Sequence, residues 1–125
     1  MPFARCNKLI HANTKMSSSI LLIDDEELPR KNIARVLESE DYHVYEVENG
    51  NDAIAAISER DFDLVLSDLK IPGVDGLGVL RHVRTVSPQT MFILMTGYAS
   101  VDSAIEAFRG GAHDYILKPV VLEDV

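Results

Sequence analysis

Acidic, hydroxyl and amine side chains follow four apolar runs of the sequence, in each case where the run ends. They are Asp24, Asp25 and Glu26 after residues 20–23, Asp68 after 64–66, Thr96 after 92–95 and Lys118 after 115–117. If these runs are parallel strands of one sheet, their carboxyl ends meet at one edge, where such sheets form their ligand sites. The spacing therefore predicts one crevice that holds carboxylates, a hydroxyl and an ammonium group.

The composition of this crevice favours phosphoryl chemistry. Clustered carboxylates repel one another, so at neutral pH they hold either a proton or a cation. An all-oxygen pocket without histidine or cysteine suits Mg²⁺, which retains water and needs only one or two carboxylates. The Lys118 ammonium adds a second positive charge, and cations beside a carboxylate form a receptacle for a phosphoryl group. Asp68 is the best placed nucleophile for an acyl phosphate, because it ends a central strand and precedes a flexible loop.

The elements that must position these residues alternate along the chain. Apolar runs at residues 20–23, 43–47, 64–66, 92–95 and 115–117 are separated by segments of helical period. This alternation predicts an α/β fold, a doubly wound five-stranded parallel sheet with helices on both faces. Only residues 120–125 follow Lys118-Pro119 at the end of the fifth run, so we expect either that the domain ends early or that its last helix is truncated.

Two local features of these elements are also predicted. Asn49-Gly50-Asn51 has the composition of a turn between the second strand and the second helix. In the fourth helix, Ser100 is the expected N-cap. The expected buried stripe of that helix is Val101, Ala104, Ile105 and Phe108.

Length and charge restrict the class of protein. The chain has 125 residues, of which 46% are hydrophobic and 26% charged, as expected of one globular domain. Residues 1–16 contain three basic residues and no acidic one, so they carry +3 and the other residues −11 of the net charge of −8. We expect residues 1–18 to be a disordered or vector-derived leader and residues 19–125 to form the domain. A domain this acidic repels phosphate backbones, so direct nucleic-acid binding by it is not expected.

Several other kinds of site are disfavoured. Cys6 is the single cysteine, which excludes an internal disulfide and a cysteine-built metal site. No apolar run reaches the ~18 residues of a membrane span. The first predicted strand is followed by acids rather than by a glycine-rich loop, which argues against a nucleotide or flavin site. A nucleophile-elbow serine is also missing from the sequence.

From residue 20 to about residue 121, the sequence resembles the receiver domain of two-component response regulators. The matching segments are Asp24-Asp25, Leu66-Ser67-Asp68-Leu69, Pro72-Gly73 with Asp75-Gly76, Met95-Thr96-Gly97, and Asp114-Tyr115-Ile116-Leu117-Lys118-Pro119. This resemblance implies a flavodoxin-like sheet with the strand order 2-1-3-4-5. It also implies a cytoplasmic signalling protein rather than an enzyme.

The resemblance assigns a role to each residue of the crevice. Asp68 is the expected phosphoacceptor, which takes phosphate from a histidine of a sensor histidine kinase. Mg²⁺ is expected to bind the side chains of Asp25 and Asp68, the backbone carbonyl of Lys70, and Asp24 through a water molecule. Thr96 and Lys118 are expected to contact the phosphoryl oxygens.

The resemblance further implies a conformational switch. Phosphorylation is expected to draw the Thr96 hydroxyl inward, so that Tyr115 rotates into the vacated space and alters the surface of the fourth helix and fifth strand.

The resemblance also implies that the peptide bond that precedes Pro119 is cis. Within the family, residues 95–101 and 110–115 are similar to receivers of nitrogen-regulatory transcription activators, whose ATPase and DNA-binding domains lie downstream. A truncated last helix would leave Val120, Val121 and Leu122 exposed, and we expect this apolar patch to favour a homodimer or an exchanged segment.

Two other functions remain open for this crevice. A phosphohydrolase would turn over a small substrate through an aspartyl phosphate, but such enzymes usually place a general acid two residues after the nucleophile, where this chain has Lys70. An inert interaction module with the same fold would take no phosphate. The complete set of acids, hydroxyl and lysine favours the receiver over both.

Overall fold

The computed structural model of the protein describes residues 18–97 and 101–118. In these residues, five strands alternate with four helices: β1 (Ser19–Ile23), α1 (Glu27–Ser39), β2 (His43–Val47), α2 (Gly50–Glu59), β3 (Leu64–Asp68), α3 (Gly76–Val86), β4 (Met91–Thr96), α4 (Val101–Arg109) and β5 (Asp114–Leu117). Every strand pair is parallel, and the order across the sheet is β2-β1-β3-β4-β5. The predicted α/β fold and strand order are confirmed.

The sheet lies between two apolar clusters. Successive side chains of a strand point to opposite faces, so a strand covered on both sides is apolar throughout. In β1, Ile20 and Leu22 belong to the cluster that packs against α1, whereas Leu21 and Ile23 belong to the cluster that packs against α2, α3 and α4. Strands β3 and β4 are buried along their whole length, whereas exposed and half-buried residues alternate over most of β2, at the edge.

Helix α2 begins earlier than the sequence indicated. The expected turn at Asn49-Gly50-Asn51 is instead the start of this helix, with Asn49 as its N-cap. The Asn49 side chain accepts a hydrogen bond from the backbone N–H of Asp52 at 2.7 Å. A side-chain cap of this kind satisfies an amide that the first helical turn leaves unpaired, which is why asparagine favours both turns and helix starts.

The buried face of α4 differs from the expected stripe. Ile105 and Phe108 are 43% and 52% exposed, whereas Ala107 is fully buried and Ala104 partly so. The helix therefore packs through small side chains, which bring its backbone close to the rest of the fold. Of the expected stripe, Ile105 and Phe108 were therefore wrong and Ala104 was right in part, whereas the Val101 side chain lies outside the described residues.

Several expectations lie outside the described residues. They are the leader predicted at residues 1–18 except for Ser18, the Ser100 cap, the cis bond before Pro119, and the truncated helix and apolar patch at residues 120–125.

Candidate functional site

The Lys118 ammonium joins two carboxylates that lie far apart in the sequence. Its Nζ donates hydrogen bonds to Asp24 Oδ2 at 2.8 Å and to Asp68 Oδ2 at 2.9 Å. Glu26 Oε1 lies 3.9 Å from the same nitrogen. The structure thus brings Asp24, Asp68 and Lys118 into one cluster, at the carboxyl ends of β1, β3 and β5.

Pairing of the strand ends sets this arrangement. Asp68, the last residue of β3, is in register with Met95 of β4, and Thr96 at the end of β4 is in register with Leu117 of β5. The backbone N–H of Lys118 donates to the Thr96 carbonyl at 2.7 Å. Because of this parallel register, Lys118 follows β5 at the edge of the sheet where β3 also ends. Its side chain can therefore reach Asp68.

The loop that follows Asp68 is held close against α3. Gly76 donates a backbone hydrogen bond to the Leu69 carbonyl at 2.9 Å. A Cβ atom at Gly76 would lie 2.4 Å from the Asp68 carbonyl oxygen, a separation that no side chain tolerates. Glycine at this position thus allows the start of α3 to approach the backbone of the candidate nucleophile.

Burial controls the electrostatics of the cluster. Asp24 is fully buried and Asp68 is 7% exposed. The pKa of Asp68 is raised because burial disfavours the charged carboxylate, an effect that the hydrogen bond and charge of Lys118 offset only in part, and the Asp24 charge raises it further. Burial alone would lower the pKa of Lys118, but its hydrogen bonds to Asp24 and Asp68 and their charges raise it overall.

The acidic side chains of the cluster fit a divalent cation. Asp24, Asp25 and Asp68 each offer one carboxylate oxygen, and these oxygens lie within 4.8 Å of one another. Asp25 is exposed, whereas the other two are buried, so the group opens to solvent on one side. Hard oxygen donors of this kind suit Mg²⁺ or Ca²⁺ and suit softer metals poorly. One Lys118 charge beside three carboxylates also leaves the group with an excess of negative charge, which a divalent cation would neutralise.

The other predicted site residues lie around the cluster. Thr96 is fully buried at the end of β4. Lys70 is exposed, and its backbone hydrogen-bonds the Asp68 carboxylate. Tyr115 is half-buried on β5, and its hydroxyl lies 2.7 Å from the Ser103 hydroxyl of α4. The Tyr115 side chain is therefore joined to the fourth helix by a hydrogen bond.

Sequence reasoning missed one buried charged residue next to the site. Arg30 is 7% exposed and donates from Nη1 to the backbone carbonyl of Asp24 at 3.0 Å. Its Nε donates to Glu46 Oε1 on β2, also at 3.0 Å. The signal was present, because Arg30 lies on the same helical stripe as Ile33, Ala34 and Leu37, and an arginine on a buried stripe needs polar partners.

Among the described residues, no helix has the length and apolar character that a membrane span requires.

Comparison with known proteins places the chain in a family. Residues 20–125 match the family model described as the response regulator receiver domain. The regulatory protein AtoC of Escherichia coli is 35% identical over 106 residues, which are 85% of this chain and 23% of AtoC. The transcriptional regulator NtrC of Salmonella typhimurium is 32% identical over 105 residues, 84% of this chain and 22% of NtrC. The chain therefore spans less than a quarter of either relative.

Solved structures show the same fold. A CheY-like response regulator receiver domain from Methanospirillum hungatei superposes with a TM-score of 0.82 at 31% identity, covering 85% of each chain. A response regulator from Burkholderia pseudomallei, solved with a phosphorylated aspartic acid, a calcium ion and citrate, has a TM-score of 0.80 at 29% identity. It covers 85% of this chain and 62% of that one. With this fold, this strand order and a family match over nearly all of its length, the chain belongs to the response regulator receiver domain family, and its relatives include regulators of the nitrogen-regulatory type.

Proposed function

We propose that this chain is a phosphoacceptor receiver in which Asp68 takes a phosphoryl group from a histidine of a sensor histidine kinase. The observation that carries the proposal is the Lys118 ammonium, which lies within hydrogen-bond distance of both Asp24 and Asp68. A cation held against a carboxylate in this way can neutralise the oxygens of an incoming phosphoryl group.

In the proposed transfer, a carboxylate oxygen of Asp68 attacks phosphorus and forms a new P–O bond. The P–N bond to the donor imidazole breaks, and its electron pair returns to the nitrogen. Burial raises the pKa of Asp68, which makes its oxygen more basic than that of an exposed aspartate. Lys118 remains beside the reacting oxygens, and we propose that the Thr96 hydroxyl contacts them from the end of β4. The product of the transfer is an acyl phosphate on Asp68.

We propose Mg²⁺ as the metal of this site. Asp24, Asp25 and Asp68 would hold it, with the Lys70 backbone carbonyl as a further ligand and Asp24 acting through a water molecule. When bound, the ion supplies positive charge that offsets the charge of the transferred phosphoryl group. The Burkholderia pseudomallei relative supports a hard divalent cation in this kind of domain, because its structure contains both a calcium ion and a phosphorylated aspartic acid.

Phosphorylation would then change the surface around α4 and β5. We propose that Thr96 moves toward the phosphoryl oxygens and that Tyr115 rotates into the vacated space. To convert such an element from mostly inactive to mostly active takes roughly 5.5 kcal/mol of differential stabilisation. Charge-assisted hydrogen bonds to a dianionic acyl phosphate are of the strength that such a change needs.

The proposed partners follow from the relatives. AtoC and NtrC are regulatory proteins much longer than this chain. We propose an ATPase domain and a DNA-binding domain downstream of the receiver, a cytoplasmic location, and no direct contact of the receiver with nucleic acid. A second copy of the chain is a further proposed partner.

The test is phosphate uptake from a small donor. We expect the full chain, incubated with Mg²⁺ and acetyl phosphate, to gain one alkali-labile phosphoryl group per chain by intact-mass spectrometry. Asp68→Asn should abolish the gain. Asp61→Asn is the matched control, since Asp61 is an exposed aspartate on the loop before β3, and it should leave the gain unchanged.

Two results would contradict the proposal. Continuous release of inorganic phosphate over many turnovers would indicate a phosphohydrolase. No uptake in the presence of Mg²⁺ would indicate an interaction module that has lost the chemistry.

A further inference from the structure

Arg30 connects the acidic loop to the edge of the sheet. It lies in α1, 7% exposed, and donates to the Asp24 carbonyl and to the Glu46 carboxylate, each at 3.0 Å. Glu46 belongs to β2, where it is in register with Leu22 of β1. One guanidinium group therefore joins the first helix, the edge strand and the backbone that follows β1.

The carbonyl that Arg30 binds is part of the peptide unit that leads into Asp25. A peptide unit is planar, so a hydrogen bond to its oxygen restrains the direction in which the next residue leaves. The other polar groups of Asp24 are also restrained: its N–H donates to Val47 at 3.2 Å, and its Oδ1 accepts from Glu26 at 3.0 Å. Asp25, in contrast, is exposed.

From this geometry we infer that Arg30 is a positioning residue for the metal site. By holding the Asp24 carbonyl against β2, it sets the orientation of the Asp25 carboxylate relative to those of Asp24 and Asp68. This inference rests on the proposed Mg²⁺ site. Outer partners that orient metal ligands in this way typically affect affinity strongly when they are removed.

Two physical effects of Arg30 on a bound cation have opposite signs. As a positive charge that contacts the Asp24 backbone, Arg30 disfavours a metal ion, so its loss would raise affinity. As a hydrogen-bond donor that orients a ligand, Arg30 favours the ion, so its loss would lower affinity. Arg30→Lys distinguishes the effect of charge from the effect of hydrogen bonding. Lysine keeps the positive charge but lacks the planar guanidinium group that can donate to two acceptors at once.

The experiment is a Mg²⁺ titration of the ¹⁵N-labelled full chain, followed by the amide shifts of Asp24, Asp25 and Glu26. We expect Arg30→Lys to raise the Kd for Mg²⁺ about tenfold. Lys31→Met is the matched control, because Lys31 contacts the same Glu46 carboxylate, at 3.4 Å, from a side chain that is 51% exposed. This control should leave the Kd within about twofold of the wild type.

A second readout needs no metal. In chelator, the Glu26 amide that donates to Asp24 should exchange with solvent faster in Arg30→Lys than in the wild type. Exchange should be unchanged in Lys31→Met. If Arg30→Lys does not fold, Glu46→Gln replaces it, because it weakens the other hydrogen bond of Arg30, and a smaller change in the same direction is expected.

Different results would overturn the proposed metal site and the positioning role of Arg30. If the wild type shows no Mg²⁺ shifts at the acidic residues, the proposed metal site itself is wrong. If the wild type binds Mg²⁺ but Arg30→Lys retains both the Kd and the exchange rate of Glu26, the positioning role is overturned. A lower free energy of unfolding with an unchanged Kd would also overturn it, because it would assign Arg30 a structural role only.

Discussion

The carboxylate of Asp68 lies at the end of β3 in a residue that is 7% exposed, and the fully buried Asp24 shares the same lysine. Two buried carboxylates that share one counter-ion are a costly arrangement, since desolvation of charge is only partly offset by the ion pair. The raised pKa of Asp68 expresses this cost. At the residue scale, the buried carboxylates therefore lower the stability of the fold, and a bound cation would neutralise their charge.

This arrangement predicts that the candidate nucleophile destabilises the fold at neutral pH. The pKa of Asp68 is raised in the folded state above its usual value of 3.8, so the folded protein binds the proton more tightly than the unfolded chain. Its contribution to stability is then fully present below pH 3.8 and is lost as pH rises through the folded pKa. We expect Asp68→Asn, which is neutral at every pH, to raise the free energy of unfolding at pH 7 by about 1 kcal/mol.

Urea denaturation in chelator at pH 7 and pH 5 measures this difference, which should shrink at the lower pH. The exposed control Asp61→Asn should change the free energy of unfolding by less than about 0.5 kcal/mol. A variant Asp68→Asn that is less stable than the wild type at pH 7 would contradict the argument.

Among the elements, α4 is unusual because its large apolar side chains are exposed. Ile105 and Phe108 face solvent, and the Phe108 ring centroid lies 6.5 Å from that of Tyr115 on β5. The helix also contacts β5 through the Ser103 hydroxyl, which lies 2.7 Å from the Tyr115 hydroxyl. The exposed large side chains of α4 therefore lie outside the buried core, and the Ser103–Tyr115 hydrogen bond joins the helix to β5.

We predict that the Ser103–Tyr115 hydrogen bond contributes about 1 kcal/mol to stability. Ser103→Ala and Tyr115→Phe should each lower the free energy of unfolding by about that amount, and the double variant should lose no more than either single variant. Urea denaturation of the four proteins gives the coupling energy. Ser58→Ala, which removes an exposed hydroxyl bonded within α2, should instead be additive with Tyr115→Phe. Additivity of Ser103→Ala with Tyr115→Phe would show that the two hydroxyls are uncoupled.

At the scale of the whole molecule, negative charge dominates. The chain carries a net charge of −8, and the acidic cluster lies at one end of the sheet. General screening by salt and specific binding of a divalent cation should both stabilise such a protein. They can be separated, because screening depends on ionic strength whereas binding depends on the identity of the ion.

We predict that Mg²⁺ at ten times its Kd stabilises the folded protein by about 1.4 kcal/mol, which raises Tm by several degrees. NaCl at the same ionic strength should give a smaller increase. Asp25→Asn should remove the Mg²⁺-specific part while changing the metal-free Tm little, because Asp25 is exposed. Thermal unfolding followed by circular dichroism measures all three. Equal effects of Mg²⁺ and NaCl on the wild type would show that no specific cation site is present.

Most of the fold could be predicted because its core strands are apolar on both faces. Continuous runs such as those of β1 and β4 read as buried strands without further information. The buried face of α4 could not be read this way, since a helix with small and large apolar residues on adjacent positions offers two stripes, and only packing against the rest of the fold selects one. The hydrogen bonds of Arg30 could not be predicted either, because its acceptors are a side chain of β2 and a backbone carbonyl after β1.

The sequence by itself determined which chemical groups end each strand, because apolar runs and turn residues locate those ends from local pattern alone. Only the tertiary structure decided which groups touch. Lys118 lies 94 residues from Asp24 and 50 from Asp68, yet its Nζ is within 2.9 Å of both carboxylates. Such contacts depend on the register of parallel strands and on the length of each loop, and neither is encoded in the periodicity of any single segment.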